Sequence, residues 1–81
     1  MVKTIVKIDG MVCNMCEAHI NDAIRNNLSV KSVKANHSKG EAEIVSESAP
    51  DEEALKKIIT DTGYDYIGMK TEPYKRGLFH R

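Results

Sequence analysis

The sequence predicts an α+β sandwich, with four antiparallel strands in one sheet and two helices on one face of it. Three observations carry this reading. Apolar residues recur with strand and helix periods in the order strand, helix, strand, strand, helix, strand. Each helical stretch bears a single apolar stripe, so each needs a sheet against one side only. At 81 residues the chain has room for one small domain and a modest core.

The elements follow in order. Thr4-Ile5-Val6-Lys7-Ile8-Asp9 is β-branched and partly alternating, which suits a strand, and Gly10 ends it. Asn14 is a helix-capping residue type, with Glu17 three positions on to reach back in a capping box. Ile20, Ala23, Ile24, Asn27 and Leu28 then recur at helical spacing, which predicts a helix from about Met15 to Asn27. Val30 to His37 reads as a second strand with Val33 and Ala35 on one side. Ser38-Lys39-Gly40 makes a short turn into a third strand, Glu41 to Ser46. There Ala42 and Ile44 face one way, and Glu41, Glu43 and Val45 the other. Ser48-Ala49-Pro50 breaks the chain, and Asp51, Glu52 and Glu53 put negative charge in the first turn of a second helix, where its dipole favours them. Leu55, Ile58, Ile59 and Thr62 supply its buried face, and Gly63 stands where a helix C-cap belongs. Tyr66 to Thr71 forms a fourth strand. From Pro73 onward, through Tyr74 to Arg81, no period is visible and a loose tail is expected. The order is that of the split βαβ, or ferredoxin-like, βαββαβ arrangement.

Bulk composition removes several function classes. The chain is 41% hydrophobic and 30% charged, which is ordinary for a small domain with an aliphatic core. Twelve basic and twelve acidic residues cancel, so no strong field is available to hold nucleic acid or an anionic membrane. The longest apolar run falls far short of the roughly 20 residues a membrane span needs. Met1-Val2-Lys3-Thr4-Ile5 alternates with charge and lacks a signal-peptide core, so a cytoplasmic location is expected. Met1 together with a complete set of strands leads us to expect a self-contained chain. In a reducing compartment a close cysteine pair is more often metal-binding or redox-active than a structural disulfide.

The two cysteines, Cys13 and Cys16, stand in one such pair, Cys-x-x-Cys, between the first strand and the first helix. Cys16 falls in the first helical turn, where unpaired backbone N–H groups and the positive end of the dipole favour a thiolate. Two soft sulfurs select thiophilic ions such as Cu(I) and Zn(II) over magnesium or calcium. Two ligands leave a structural zinc shell half filled. His19, His37, His80 and the methionines do not make a second pair at zinc-finger spacing. Cu(I), which accepts two-coordinate sulfur, suits the loop best, and a low-coordinate ion is open to attack by a partner's thiolates. A thioredoxin-like redox site would carry tryptophan and proline about the cysteines. This chain has no tryptophan, and Pro50 and Pro73 lie far from the loop.

Gly10-Met11-Val12-Cys13-Asn14-Met15-Cys16 resembles the Gly-Met-x-Cys-x-x-Cys loop of heavy-metal-associated domains. The resemblance runs from about Val2 to about Lys70, and includes the Ser38-Lys39-Gly40 and Thr62-Gly63-Tyr64 turns. It implies a heavy-metal-associated domain over residues 1–72, with a flexible tail over residues 73–81. It implies Cys13 and Cys16 as the ligands of Cu(I), or of zinc, cadmium or mercury. It implies Met11 as a plug under the loop that does not bind the ion, and Tyr64 as the tyrosine common near the site in bacterial copper chaperones. Family members are small copper chaperones or N-terminal domains of metal-pumping P-type ATPases. The implied role is therefore a non-enzymatic, cytoplasmic metallochaperone whose partner is the soluble domain of a metal-transporting P-type ATPase. A metal-bridged homodimer is a further expectation; nucleic acid binding and membrane insertion are not expected. The alternatives are a zinc-, cadmium- or mercury-binding domain of such an ATPase, and a Cys-x-x-Cys thiol-disulfide redox protein. The chain departs from the family pattern at Val12, where threonine or serine is usual, at Met15, at His19 three residues past Cys16, and in its longer tail.

Overall fold

Alternating side chains bury one face of each inner strand, and the computed structural model, which describes residues 1–12 and 14–74, is built on that alternation. Six elements form in the expected order: β1 (Val2–Asp9), α1 (Asn14–Asn27), β2 (Ser32–Asn36), β3 (Glu41–Ser46), α2 (Glu52–Asp61) and β4 (Asp65–Pro73). The sheet order is β2-β3-β1-β4, and every neighbouring pair is antiparallel. This is the ferredoxin-like sandwich expected from the sequence.

Val6 and Ile8 of β1, Val33 and Ala35 of β2, and Ala42 and Ile44 of β3 point to the helix side. They meet Ile20 and Ile24 of α1 and Leu55, Ile58 and Ile59 of α2 in one cluster. Each such isoleucine or leucine contributes about 1.5–3 kcal/mol by leaving water. Thr4 is fully buried at the edge of this core, and its Oγ1 lies 3.2 Å from Thr71 Oγ1 on the neighbouring strand. The other face of the sheet is charged, with Lys7 3.3 Å from Glu41 and Lys3 3.9 Å from Glu72 across strand pairs. Such solvated pairs add at most about 1 kcal/mol each.

Three boundaries differ from the sequence reading. β2 is shorter, because Asn36 leaves the ladder and its Oδ1 accepts the Lys39 N–H at 3.1 Å to close the turn. β4 is longer, because it pairs with β1 as far as Val2 opposite Pro73, and the Tyr74 N–H then donates to the Met1 carbonyl. Residues 75–81 of the expected tail, His80 included, lie outside the described residues. Asn27, read as part of the α1 stripe, is exposed; its Nδ2 donates to the Ala23 carbonyl at 2.7 Å.

The second helix is fixed at both ends as its sequence dictates. Asp51 is its N-cap and accepts the Ala54 N–H at 3.1 Å. At the other end the Tyr64 N–H reaches the Ile59 carbonyl and the Gly63 N–H the Thr60 carbonyl, which is the Schellman pattern, with Gly63 at φ +101°. That cap turns the chain so that Tyr64 arrives beside the β1–α1 loop.

Candidate metal centre

The loop after β1 is shaped by what it buries and what it exposes. Gly10 turns the chain at φ +107°, a backbone angle that residues with a Cβ rarely adopt. Met11 then drops into the core and is only 7% exposed. Methionine is suited to this, since its unbranched thioether fills irregular space. Val12 and Met15 do the opposite, being 76% and 69% exposed. The segment is thus anchored by one side chain and open on either side of Cys13, which itself lies outside the described residues.

Cys16 stands in the first turn of α1, half-buried and packed against the core cluster. The α1 N-terminus supplies the N–H groups and partial positive charge that favour a thiolate there. His19 lies one turn further along the helix and is exposed. Among the described residues, no three or more histidine, cysteine, aspartate or glutamate side chains gather closely enough to hold a metal.

Tyr64 meets the loop at its first residue. A Cβ placed on Gly10 would stand 3.3 Å from Tyr64 Cδ1, so the ring occupies the space a side chain would need. The sequence reading of Tyr64 as a group touching the loop agrees with this contact. Asp9 and Asp65, at the ends of β1 and β4, are Cα partners and both exposed, so two carboxylates flank the loop. Local sequence gives no sign of that pairing, because it depends on strand register.

The sequence reading also misplaces two residues. Glu17 does not serve a capping box, since Asn14 is already inside the helix. Its Oε2 instead accepts the His37 backbone N–H at 2.9 Å and lies 2.6 Å from His37 Nδ1. These two His37 contacts, the backbone N–H first, hold the Glu17 carboxyl below the usual carboxylate range. The ionised oxygen can only accept, so Nδ1 carries the proton. His37 is therefore engaged with α1 rather than an exposed strand end, its side chain being 32% exposed. Twenty residues separate the pair in sequence, and no short-range pattern announces it.

Among the described residues no helix is long and apolar enough to cross a membrane.

With this geometry in hand, comparison with known proteins is informative. The sequence model of the heavy-metal-associated domain matches residues 5–65. A mercuric reductase of Shigella flexneri is 32% identical over 59 residues, which is 73% of this chain and 10% of that protein. The chain therefore spans about a tenth of the length of that curated relative. A solved structure of a CopZ metallochaperone superposes with a TM-score of 0.71 at 27% identity, covering 80% of this chain and 98% of that one. The yeast copper transporter domain Ccc2a, solved in apo and Cu(I)-loaded states, superposes with a TM-score of 0.72 at 21% identity, covering 93% of this chain and all of that one.

Proposed function

Because this chain belongs to the heavy-metal-associated domain family, we infer that it carries a soft metal ion, Cu(I) first among them, between the thiolates of Cys13 and Cys16. The observation that supports this most is the form of the loop. Met11 is buried as an anchor, Val12 and Met15 are open to solvent, and Cys16 is in the first turn of a helix. A loop held in that way offers sulfur at the surface without closing over it.

The chemistry follows from the donors. Two thiolates satisfy a linear Cu(I) centre and leave it accessible, and soft sulfur excludes magnesium and calcium. A partner thiolate adds to the ion, giving a three-sulfur intermediate, and one of the original sulfurs then leaves. Charge and coordination are restored on the partner, no substrate bond is made or broken, and the chain acts as a carrier rather than an enzyme. The partner that fits is a protein with a similar loop, such as the soluble domain of a metal-transporting P-type ATPase in the cytoplasm. Two copies facing one another through their loops would bring four thiolates to the shared metal, a metal-bridged homodimer. The domain proper spans residues 1–72 in this reading, with 73–81 as an appendage.

A second reading is favoured by the mercuric reductase likeness. Hg(II) is as thiophilic as Cu(I) and also accepts two-coordinate sulfur, so the same loop would carry it.

Titration of the reduced protein with Cu(I), Hg(II) and Zn(II) against competing chelators tests both readings, with Cys13→Ser and Cys16→Ser alongside. One-to-one Cu(I) binding that either variant abolishes, with weaker zinc, is the expected result. A preference for Hg(II) moves the cargo to mercury. Weak binding of every metal, unaltered in the variants, overturns the carrier reading and brings the thiol-disulfide alternative forward.

A further inference from the structure

β2 lies at the edge of the sheet, so its outward backbone groups have no neighbouring strand. Two of its side's N–H groups find acceptors on α1 instead. The Ala35 N–H donates to Asn21 Oδ1 at 2.9 Å, and the His37 N–H donates to Glu17 Oε2 at 2.9 Å. Glu17 and Asn21 are four apart on a helix, and Ala35 and His37 are two apart along the chain leaving β2. Four helical residues advance about 6 Å and two extended residues about 6.6 Å, so the two rows keep step. The helix is thus clasped along the strand edge at two rungs.

The rung at Glu17 differs from the other. Its carboxylate takes a second donor, His37 Nδ1 at 2.6 Å, and the ion pair makes this the stronger rung. It is also the rung next to Cys16, in the turn where α1 begins.

We propose that Glu17 and His37 are positioning residues for the metal site: a latch that fixes the first turn of α1, and with it Cys16, against the β2–β3 turn. The role assigned to Cys16 rests on the metal-carrying reading. The latch itself rests on the geometry of the pair. A thiolate on a helix end that frays spends part of its time away from the position two-sulfur coordination requires, and its ion leaves sooner. The β2–β3 turn thereby acts on the metal loop without touching the metal.

The test uses the whole chain with His37→Ala, His37→Asn and Glu17→Ala. Asparagine keeps a side-chain N–H at the place of Nδ1 and loses the charge. Cu(I) affinity is measured by chelator competition, thermal stability by circular dichroism, and exchange of α1 amides by mass spectrometry. The proposal expects Cu(I) binding about tenfold weaker in His37→Ala and Glu17→Ala, in line with other residues that orient ligands from outside the coordination shell. It expects His37→Asn to recover most of that loss, and exchange to quicken in the first turn of α1 more than elsewhere. Cu(I) affinity within twofold of the parent in both alanine variants would overturn it, as would His37→Asn binding as weakly as His37→Ala. If the parent protein itself binds no Cu(I) above its cysteine variants, the carrier reading fails. Exchange then decides the latch alone: faster exchange confined to the first turn of α1 supports it, and unchanged exchange refutes it.

Discussion

Two glycines with nearly the same backbone angle have different surroundings, and this isolates what Tyr64 does at the loop. Gly63 has φ +101° with no atom within 4 Å of where a Cβ would stand; Gly10 has φ +107° with Tyr64 Cδ1 at 3.3 Å. Gly63→Ala therefore reports the backbone strain of a positive φ, about 1–3 kcal/mol. Gly10→Ala carries the same strain plus an overlap. The ring cannot simply back away, because Tyr64 Cα and Cβ stand only 3.9 and 4.0 Å from the added atom. Overpacking of this kind costs about 1–3 kcal/mol more. Gly10→Ala should thus be less stable than the parent by about 2–5 kcal/mol, and less stable than Gly63→Ala. Urea unfolding followed by far-UV circular dichroism measures both, and for a domain of this size each kcal/mol lowers Tm by about 4–8 °C. The cycle through Tyr64→Ala and the Gly10→Ala/Tyr64→Ala double variant isolates the contact, since removing the ring should return about 1 kcal/mol or more of the Gly10→Ala loss. Gly10→Ala within about 0.5 kcal/mol of the parent would refute the strain argument. A Gly10→Ala loss equal to that of Gly63→Ala, with no coupling to Tyr64, would refute the contact.

Three further outcomes are expected. Met11→Ala removes the loop's anchor from a nearly closed site and should lower stability by about 2–5 kcal/mol in the same unfolding assay; a loss below 1 kcal/mol would mean that the methionine does not pack as described. Asp51→Ala leaves the Ala54 N–H without its cap and should cost about 0.5–2 kcal/mol, whereas Asp51→Asn should restore most of it. Desolvation and then the 2.5 Å hydrogen bond to Glu52 push Tyr66 up to about 12, above the ordinary tyrosine value of 10. The folded state then holds this proton when the unfolded chain has lost it, so the contribution is complete below pH 10 and disappears as pH rises towards 12. Absorbance titration should show one tyrosine ionising late in the parent and earlier in Glu52→Gln; no difference between the two would contradict the pairing.

Hairpin and helix signals are local, and they were legible. Alternation in Glu41–Ser46 gave β3 with its buried Ala42 and Ile44, and the apolar stripe of α2 gave Leu55, Ile58 and Ile59. Gly63 announced the Schellman turn because only a positive φ lets the chain leave a helix in that way. The cysteine motif and the buried Met11 were likewise written in consecutive residues, since a loop anchored by one side chain needs few partners to define it. Strand ends were less legible: whether Asn36 stays in the ladder or closes the turn is a competition between two hydrogen bonds that composition does not rank.

What the sequence by itself determined is the order of elements, the face each buries and the chemical class of the loop, all of which follow from periodicity and residue type within a few positions. Only the tertiary structure decided that Glu17 serves His37 rather than its own helix, that Tyr64 fills the space over Gly10, and that Asp9 lies opposite Asp65. Each of these joins residues at least 20 positions apart. Their meeting is set by sheet register and by how the two helices lie on the sheet, quantities that the whole core fixes and no short segment encodes.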